Sequence, residues 1–134
     1  MREILFKAKR IDNGKWIEGH YQKRYDLLSN EEHLIFRADS YKVWEYAEID
    51  PETLCQFTGL YDKNGKRIWE NDIIQYGTVA AVVRFGEYGN GNLGFYVDFP
   101  EETNYRKDFS YWAKKVVAIG NAFDNQELLQ EVPE

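Results

Sequence analysis

Aromatic and basic side chains interleave through Tyr105-Arg106-Lys107-Asp108-Phe109-Ser110-Tyr111-Trp112-Ala113-Lys114-Lys115, the stretch whose residue types best suit a ligand. Bases of a single nucleic-acid strand stack on such rings while Arg and Lys meet the phosphates, each stacked base contributing about 1–3 kcal/mol. Tyr105, Arg106, Lys107, Tyr111 and Trp112 therefore form the candidate binding surface. A structural reading competes with it: the rings enter the core and the charges face water, because aromatics dominate burial in a small β-domain. Net charge of −6 favours the structural reading, since non-specific nucleic-acid binding is driven by phosphate neutralisation.

Other constellations point away from catalysis. Gly89, Gly91 and Gly94 have the spacing of a dinucleotide-binding fingerprint. That fingerprint works only where a helix begins inside it and aims its amides at a pyrophosphate, whereas here a β-type run starts at Phe95. The stretch Gly86–Gly94 is instead expected to be a hairpin loop, free to touch a partner. His20 and His33 lie in no ligand or base motif and are expected at the surface or half-buried. Ser29, Ser40 and Ser110 sit in no nucleophile elbow. Cys55 adjoins a strand, where a buried, inert thiol is the common state, and with no second cysteine there is neither a disulfide nor zinc-ligand spacing. Glu70, Asp72 and Asp62 flank or cap turns and are read as structural. The expectation is a protein without catalytic residues, cofactor or metal, and not an enzyme.

The elements that would carry these residues read as strands. Ile4, Phe6 and Ala8 alternate with Leu5, Lys7 and Lys9, and Asp12-Asn13-Gly14 turns the chain back into Lys15–Tyr21, a first hairpin. Gln22 to Glu32 is polar, a loop or short helical turn, and Leu34-Ile35-Phe36 is strand-like. Asp50-Pro51-Glu52 has the chemistry of a one-turn helix start: a capping side chain, a pre-set φ and a carboxylate at the positive end. Strands follow from Leu54 to Phe57 and from Ile73 to Tyr76, with Asn64-Gly65 between them supplying the positive φ angles of a type I′ turn. Val79–Phe85 is apolar enough to be buried on both faces. Phe95–Phe99, closed by Pro100, and Val116–Ile119 complete the set, and Asp124–Leu129 is a final helical turn.

Composition agrees. The chain of 134 residues is one domain by size, and aromatics at 16% supply much of its apolar volume. Charge is uneven: residues 1–25 carry +4 and residues 26–62 carry −7, a split compatible with self-association between unlike faces. No run approaches a signal core or a membrane span, so a soluble, cytoplasmic protein without membrane contact is expected.

Several motifs together resemble the YopX family, small proteins carried mostly by bacteriophages and prophages: Met1-Arg2-Glu3-Ile4-Leu5-Phe6-Lys7-Ala8 at the start, Gln56-Phe57-Thr58-Gly59-Leu60 with Asp62-Lys63-Asn64-Gly65-Lys66 centrally, and Ile119-Gly120-Asn121 with Glu127-Leu128-Leu129 near the end. Asn71 stands where the family usually has glycine before Asp72, and asparagine tolerates the left-handed conformation. The resemblance implies a mainly β fold: an SH3-like β-barrel core over 51–130, an N-terminal β-hairpin extension over 1–50, and short helical turns, all in a single domain, 1–134. It carries no biochemical activity with it. The expected role is a non-catalytic binding or assembly module in a bacterial host cell. Such a module would act as a homo-oligomer or with a phage or host protein; the alternative is a single-stranded nucleic-acid-binding accessory protein.

Overall fold

The computed structural model describes residues 3–38 and 44–129, the side chains of Ala38 and Trp44 excepted. Ser40, and Met1 and Arg2 of the opening motif, fall outside the described residues. The fold is mainly β, and the chain divides into two compact units, Met1–Phe57 and Thr58–Glu134. The division falls inside a strand rather than before Pro51.

In the first unit, β1 (Phe6–Lys9), β2 (Trp16–Tyr25), β3 (Glu31–Ala38) and β4 (Trp44–Glu48) form an antiparallel sheet in the order β4-β3-β2-β1. The start of β5 (Cys55–Tyr61) joins β1 through Lys7↔Cys55. The β1–β2 turn is the expected one: Asn13 Oδ1 accepts the Lys15 N–H at 2.9 Å, and Gly14, at φ +70°, donates its N–H to the Arg10 carbonyl. Alternation places Ala8, Ile17, Ile35, Ala47 and Ile49 in one core, with Ala8 opposite Ile17 and Ile35 opposite Ala47. Gly19 is required where β2 meets β3, because a Cβ there would collide with the Phe36 carbonyl oxygen. The 3-10 turn Pro51–Thr53 is capped as its sequence predicts, Asp50 Oδ1 accepting from the Glu52 N–H at 3.0 Å.

The segment Gln22–Glu32, expected as a loop or helical turn, is instead the far half of a long hairpin. β2 and β3 pair from His20↔Phe36 to Tyr25↔Glu31, leaving only 26–30 for the turn. Cross-strand Lys23–Glu31 (2.5 Å) and Arg24–Glu32 (2.8 Å) ion pairs match the polar residues across the extended ladder.

The second unit contains the rest of β5, β6 (Arg67–Trp69), β7 (Asp72–Tyr76), β8 (Val79–Tyr88), β9 (Asn92–Val97), α1 (Phe109–Trp112), a 3-10 turn (Ala113–Lys115), β10 (Val117–Asn121) and a last 3-10 turn (Gln126–Leu129). Its four-stranded antiparallel sheet runs β10-β7-β8-β9, and β6 pairs with β5. The expected barrel does not close among the described residues: β10 and β9 are the outer strands of their sheet and do not pair with each other. The core gathers Ile68, Ile74, Val83, Val97, Phe109, Trp112 and Val116.

Two buried carboxylates organise the turns. Asp62, 4% exposed, accepts the Asn64 and Lys66 N–H groups on Oδ1 (2.8 and 2.9 Å) and the Ala118 N–H on Oδ2 (3.0 Å), so one side chain shapes a turn and pins β10. Burial alone would push its carboxyl up. The backbone donors of Ala118, Lys66 and Asn64, helped by the Lys66 charge, outweigh that and hold it below the ordinary value. Asp72 accepts from the Trp69 N–H at 2.9 Å, and the preceding Asn71 takes the left-handed conformation at φ +71°. The type I′ turn expected at Asn64-Gly65 is absent, since Gly65 has positive φ (+80°) and Asn64 does not. Asp62's hydrogen bonds, together with Asp62 N–H to the Lys66 carbonyl, set a longer turn.

Two further expectations are corrected. Val79–Phe85 is buried only at Ala81–Val83; Arg84 and Phe85 are exposed as β8 runs outward, Phe85 meeting Phe95 edge-on at 5.0 Å. Gly86–Gly94 is not a long loop: the β8–β9 ladder continues through Gly86↔Gly94 to Tyr88↔Asn92, leaving 89–91 as the turn.

Candidate functional site

Pro100 ends the run after β9, a 3-10 turn at Glu101–Thr103 follows, and Asn104 in the left-handed conformation redirects the chain. The next residues lie back along β9: the Lys107 carbonyl accepts the Val97 N–H at 2.8 Å, and Asp108 bridges Tyr96. The chain then winds into α1. Helical spacing sends Phe109 and Trp112 inward together and leaves Ser110 and Tyr111 outside.

This geometry divides the five predicted residues. Trp112 is 5% exposed, its Nε1–H donating to the Arg106 carbonyl at 2.7 Å and its ring packed edge-on against Tyr76 and Phe99 at 4.8 and 5.0 Å. It is a core residue and offers no stacking platform. Tyr105 leans on Trp112 and Phe99 (5.3 and 5.2 Å) with its outer part exposed. Arg106 is held in a two-pronged pair with Asp108, Nε–Oδ1 2.6 Å and Nη2–Oδ2 2.8 Å. The pair raises the Arg106 pKa and, against the opposing effect of burial, lowers that of Asp108. The guanidinium also lies 4.3 Å from the Tyr111 ring, and Lys115 Nζ lies 3.8 Å from the same ring. Tyr111 already holds two cations.

Tyr105, Arg106 and Lys107 do share a feature. With Tyr88, Asn92 and Ser110 they line a polar cleft of about 530 Å³ between this segment and the β8–β9 turn. Planar amide, phenol, hydroxyl and ion-pair groups converge there, able to hold a hydrogen-bonding ligand. Its one guanidinium is already spoken for by a carboxylate.

The feature that the sequence reading missed lies in the first unit. The β2–β3 turn presents Leu27 and Leu28 with 103% and 83% of their surface in water, beside exposed Tyr25. The turn is built rather than slack. Asp26 Oδ1 accepts from the Leu28 and Asn30 N–H groups (2.8 and 2.9 Å), Oδ2 accepts from the Asn30 side-chain amide, the Asp26 N–H reaches the Asn30 carbonyl, and Ser29 takes φ +64°. The Asp26 carboxyl sits below its usual range, chiefly through the Asn30 backbone donor. Aspartate and Ser-Asn bracketing two leucines is a turn signal, legible only once the flanking polar residues are seen as strands.

Beside the turn-proximal end of this hairpin is an open cleft of about 640 Å³, lined among others by Ile11, Ile49, Pro51, His33, Glu31 and Arg10. His33, half-buried, bonds through Nδ1 to the Tyr21 hydroxyl at 2.5 Å and lies 3.7 Å from Glu31 through Nε2; His20 is exposed. Cys55 is buried, its thiol donating to the Thr53 carbonyl. Among the described residues no three His, Cys, Asp or Glu side chains are placed to hold a metal ion, and no helix is long and apolar enough to cross a membrane.

No curated protein matches the chain. The family model described as YopX protein matches residues 5–130, nearly the whole sequence. The match takes in both units, the Asp62 turn and the Tyr105–Trp112 segment, and on it the chain belongs to the YopX family.

Proposed function

We propose that the protein is a non-catalytic binding module that self-associates through its leucine-tipped hairpin. The observation that carries this is the exposure of Leu27 and most of Leu28 on a turn fixed by hydrogen bonds. Burying a leucine is worth roughly 1.5–3 kcal/mol, and a turn already ordered loses little freedom on docking. The flanking charges are paired with one another, so the tip asks for an apolar recess rather than a polyanion. A second copy offers an open cleft in which Ile11 and Pro51 lie among charged side chains, next to Glu31 and His33 of the same hairpin. Tip and recess so close together permit reciprocal insertion, the arrangement of a two-fold dimer.

The setting we infer from the family resemblance is the cytoplasm of a phage- or prophage-carrying bacterium, with a phage or host protein as the other class of partner. The SH3-like kinship belongs to the same inference. Light scattering of the purified chain across a wide concentration range tests the reading. Dimer formation that weakens by roughly a hundredfold or more in Leu27→Ser/Leu28→Ser supports it, the loss expected if about 3 kcal/mol of burial disappears. A monomer at all concentrations, or a dimer indifferent to both leucines, refutes it.

A further inference from the structure

Three asparagine-glycine pairs stand in exposed turns: Asn13-Gly14, Asn64-Gly65 and Asn90-Gly91. In such a pair the glycine amide nitrogen, on losing its proton to water or hydroxide, can attack the asparagine Cγ. A new C–N bond forms, the bond to the side-chain nitrogen breaks, and ammonia leaves. The resulting five-membered imide then adds water at either carbonyl and opens to aspartate or to isoaspartate, which has one extra methylene in the main chain. Glycine permits this because no Cβ crowds the ring.

The fold treats the three attacking nitrogens differently. The Gly14 N–H donates to the Arg10 carbonyl at 2.9 Å and the Gly65 N–H to the Asp62 carbonyl at 3.0 Å. The Asn13 side chain is engaged as well, its Oδ1 accepting from the Lys15 N–H. Among the described residues no hydrogen bond holds the Gly91 N–H or the Asn90 side chain, and a Cβ built on Gly91 would meet nothing within 4 Å. We infer that Asn90 is the site where this chain is spontaneously converted to aspartate and isoaspartate, ahead of the other two. The product places a carboxylate in the turn whose neighbours Gly89 and Asn92 line the cleft with Arg106 and Lys107. In the iso form the longer main chain also strains a turn confined to 89–91. Modification thus acts on the cleft without touching the leucine tip.

The test is peptide mapping by mass spectrometry, with isoaspartate resolved from aspartate, on the full chain held at mildly alkaline pH, native and in urea. In the native protein Asn90 should convert about fivefold to tenfold faster than Asn13 or Asn64, the factor set by one backbone hydrogen bond that must open first. In urea the three rates should converge. Gly91→Ala should slow conversion at residue 90 and leave the other two sites unchanged. Native conversion led by Asn13 or Asn64, an Asn90 lead of the same size in urea, or a Gly91→Ala rate equal to that of the parent chain would each overturn the inference.

Discussion

Asp62 ties the turn after β5 to β10 through three backbone amides, and replacing it separates the turn from the strand it pins. Asp62→Ala removes the acceptor of three backbone amides. The Asn64 and Lys66 amides lie in an exposed turn and can turn to water at a cost of roughly 0.5–1 kcal/mol each. The Ala118 N–H is buried, and leaving it unpaired costs about 1–3 kcal/mol. The total, about 2–5 kcal/mol, is a large part of the stability of a small domain. Asp62→Asn is the sharper variant. Its remaining oxygen can still serve the turn, while its NH₂ faces the Ala118 N–H donor to donor, so about 1–3 kcal/mol is lost and the loss is concentrated at β10.

The pH dependence has a definite sign. The Asp62 carboxyl titrates below its ordinary value when folded, because burial, which opposes ionisation, is outweighed by amide donors. Its stabilisation is therefore complete above the unfolded pKa, about 3.9, and disappears as pH falls through the lower folded value. Asp62→Asn has no such proton to bind. The gap in urea midpoint between parent and Asp62→Asn should be widest near neutrality and shrink below pH about 4. Hydrogen exchange at the Ala118 amide gives a local readout, with protection falling more there than at β8 amides such as Val83. Equal midpoints at neutral pH, or a gap that persists unchanged in acid, would refute the account.

Three other substitutions probe separate joints. Gly19→Ala should lower the melting temperature of the first unit by an amount matching about 2–4 kcal/mol, since the Phe36 carbonyl it strikes belongs to the β2–β3 ladder and cannot move cheaply. Asn71→Gly should be neutral or slightly stabilising, and Asn71→Ala should cost about 1 kcal/mol in denaturant titration, because φ +71° suits glycine and asparagine far better than alanine. Asp26→Ala should leave global stability little changed but weaken self-association in light scattering, as the turn carrying Leu27 and Leu28 loses the acceptor that orders it.

Local chemistry was readable at most of the turns, Asn64-Gly65 being the exception, where Asp62 sets a longer turn than the type I′ that the pair suggests. The Asp50-Pro51 cap, the Asn13-Gly14 turn, the left-handed Asn71 and the last helical turn each depend on a few adjacent residues, and each is found in place. What could not be read depended on pairing. The polar Gln22–Tyr25 strand is held by pairing with Glu31–Leu34 across the hairpin, with Lys23 and Arg24 matched to Glu31 and Glu32, and no property of either strand alone announces that. The glycine-rich arm was misjudged for a related reason: Gly86 lies opposite Gly94, and Tyr88 stacks on Tyr96 at 5.4 Å, so the ladder survives residues that are poor strand formers singly. At the candidate surface, whether the rings of Tyr105–Trp112 faced in or out turned on a four-residue helix the composition did not suggest. Its one-turn spacing put Trp112 in the core and Tyr111 outside.

Charge pairing decides which kind of partner the surface can attract. Arg10 faces Asp12 and Glu45, Lys23 faces Glu31, Arg24 faces Glu32, Arg37 faces Glu45, Arg84 faces Asp98 and Arg106 faces Asp108. Lys7 and Lys9 lie over the Trp16 ring at 4.8 and 5.6 Å. Exposed pairs of this kind contribute little to stability, but each one cancels a positive field that a phosphate chain would otherwise feel. With acids in excess, the net field is negative, and a polyanion that engages the paired cations must first break those pairs. Affinity then has to come from apolar surface. Among the described residues the largest share of uncovered leucine sits on one fixed turn, which is why the proposed contact is placed at the hairpin tip and not at the aromatic-basic segment that the sequence advertises.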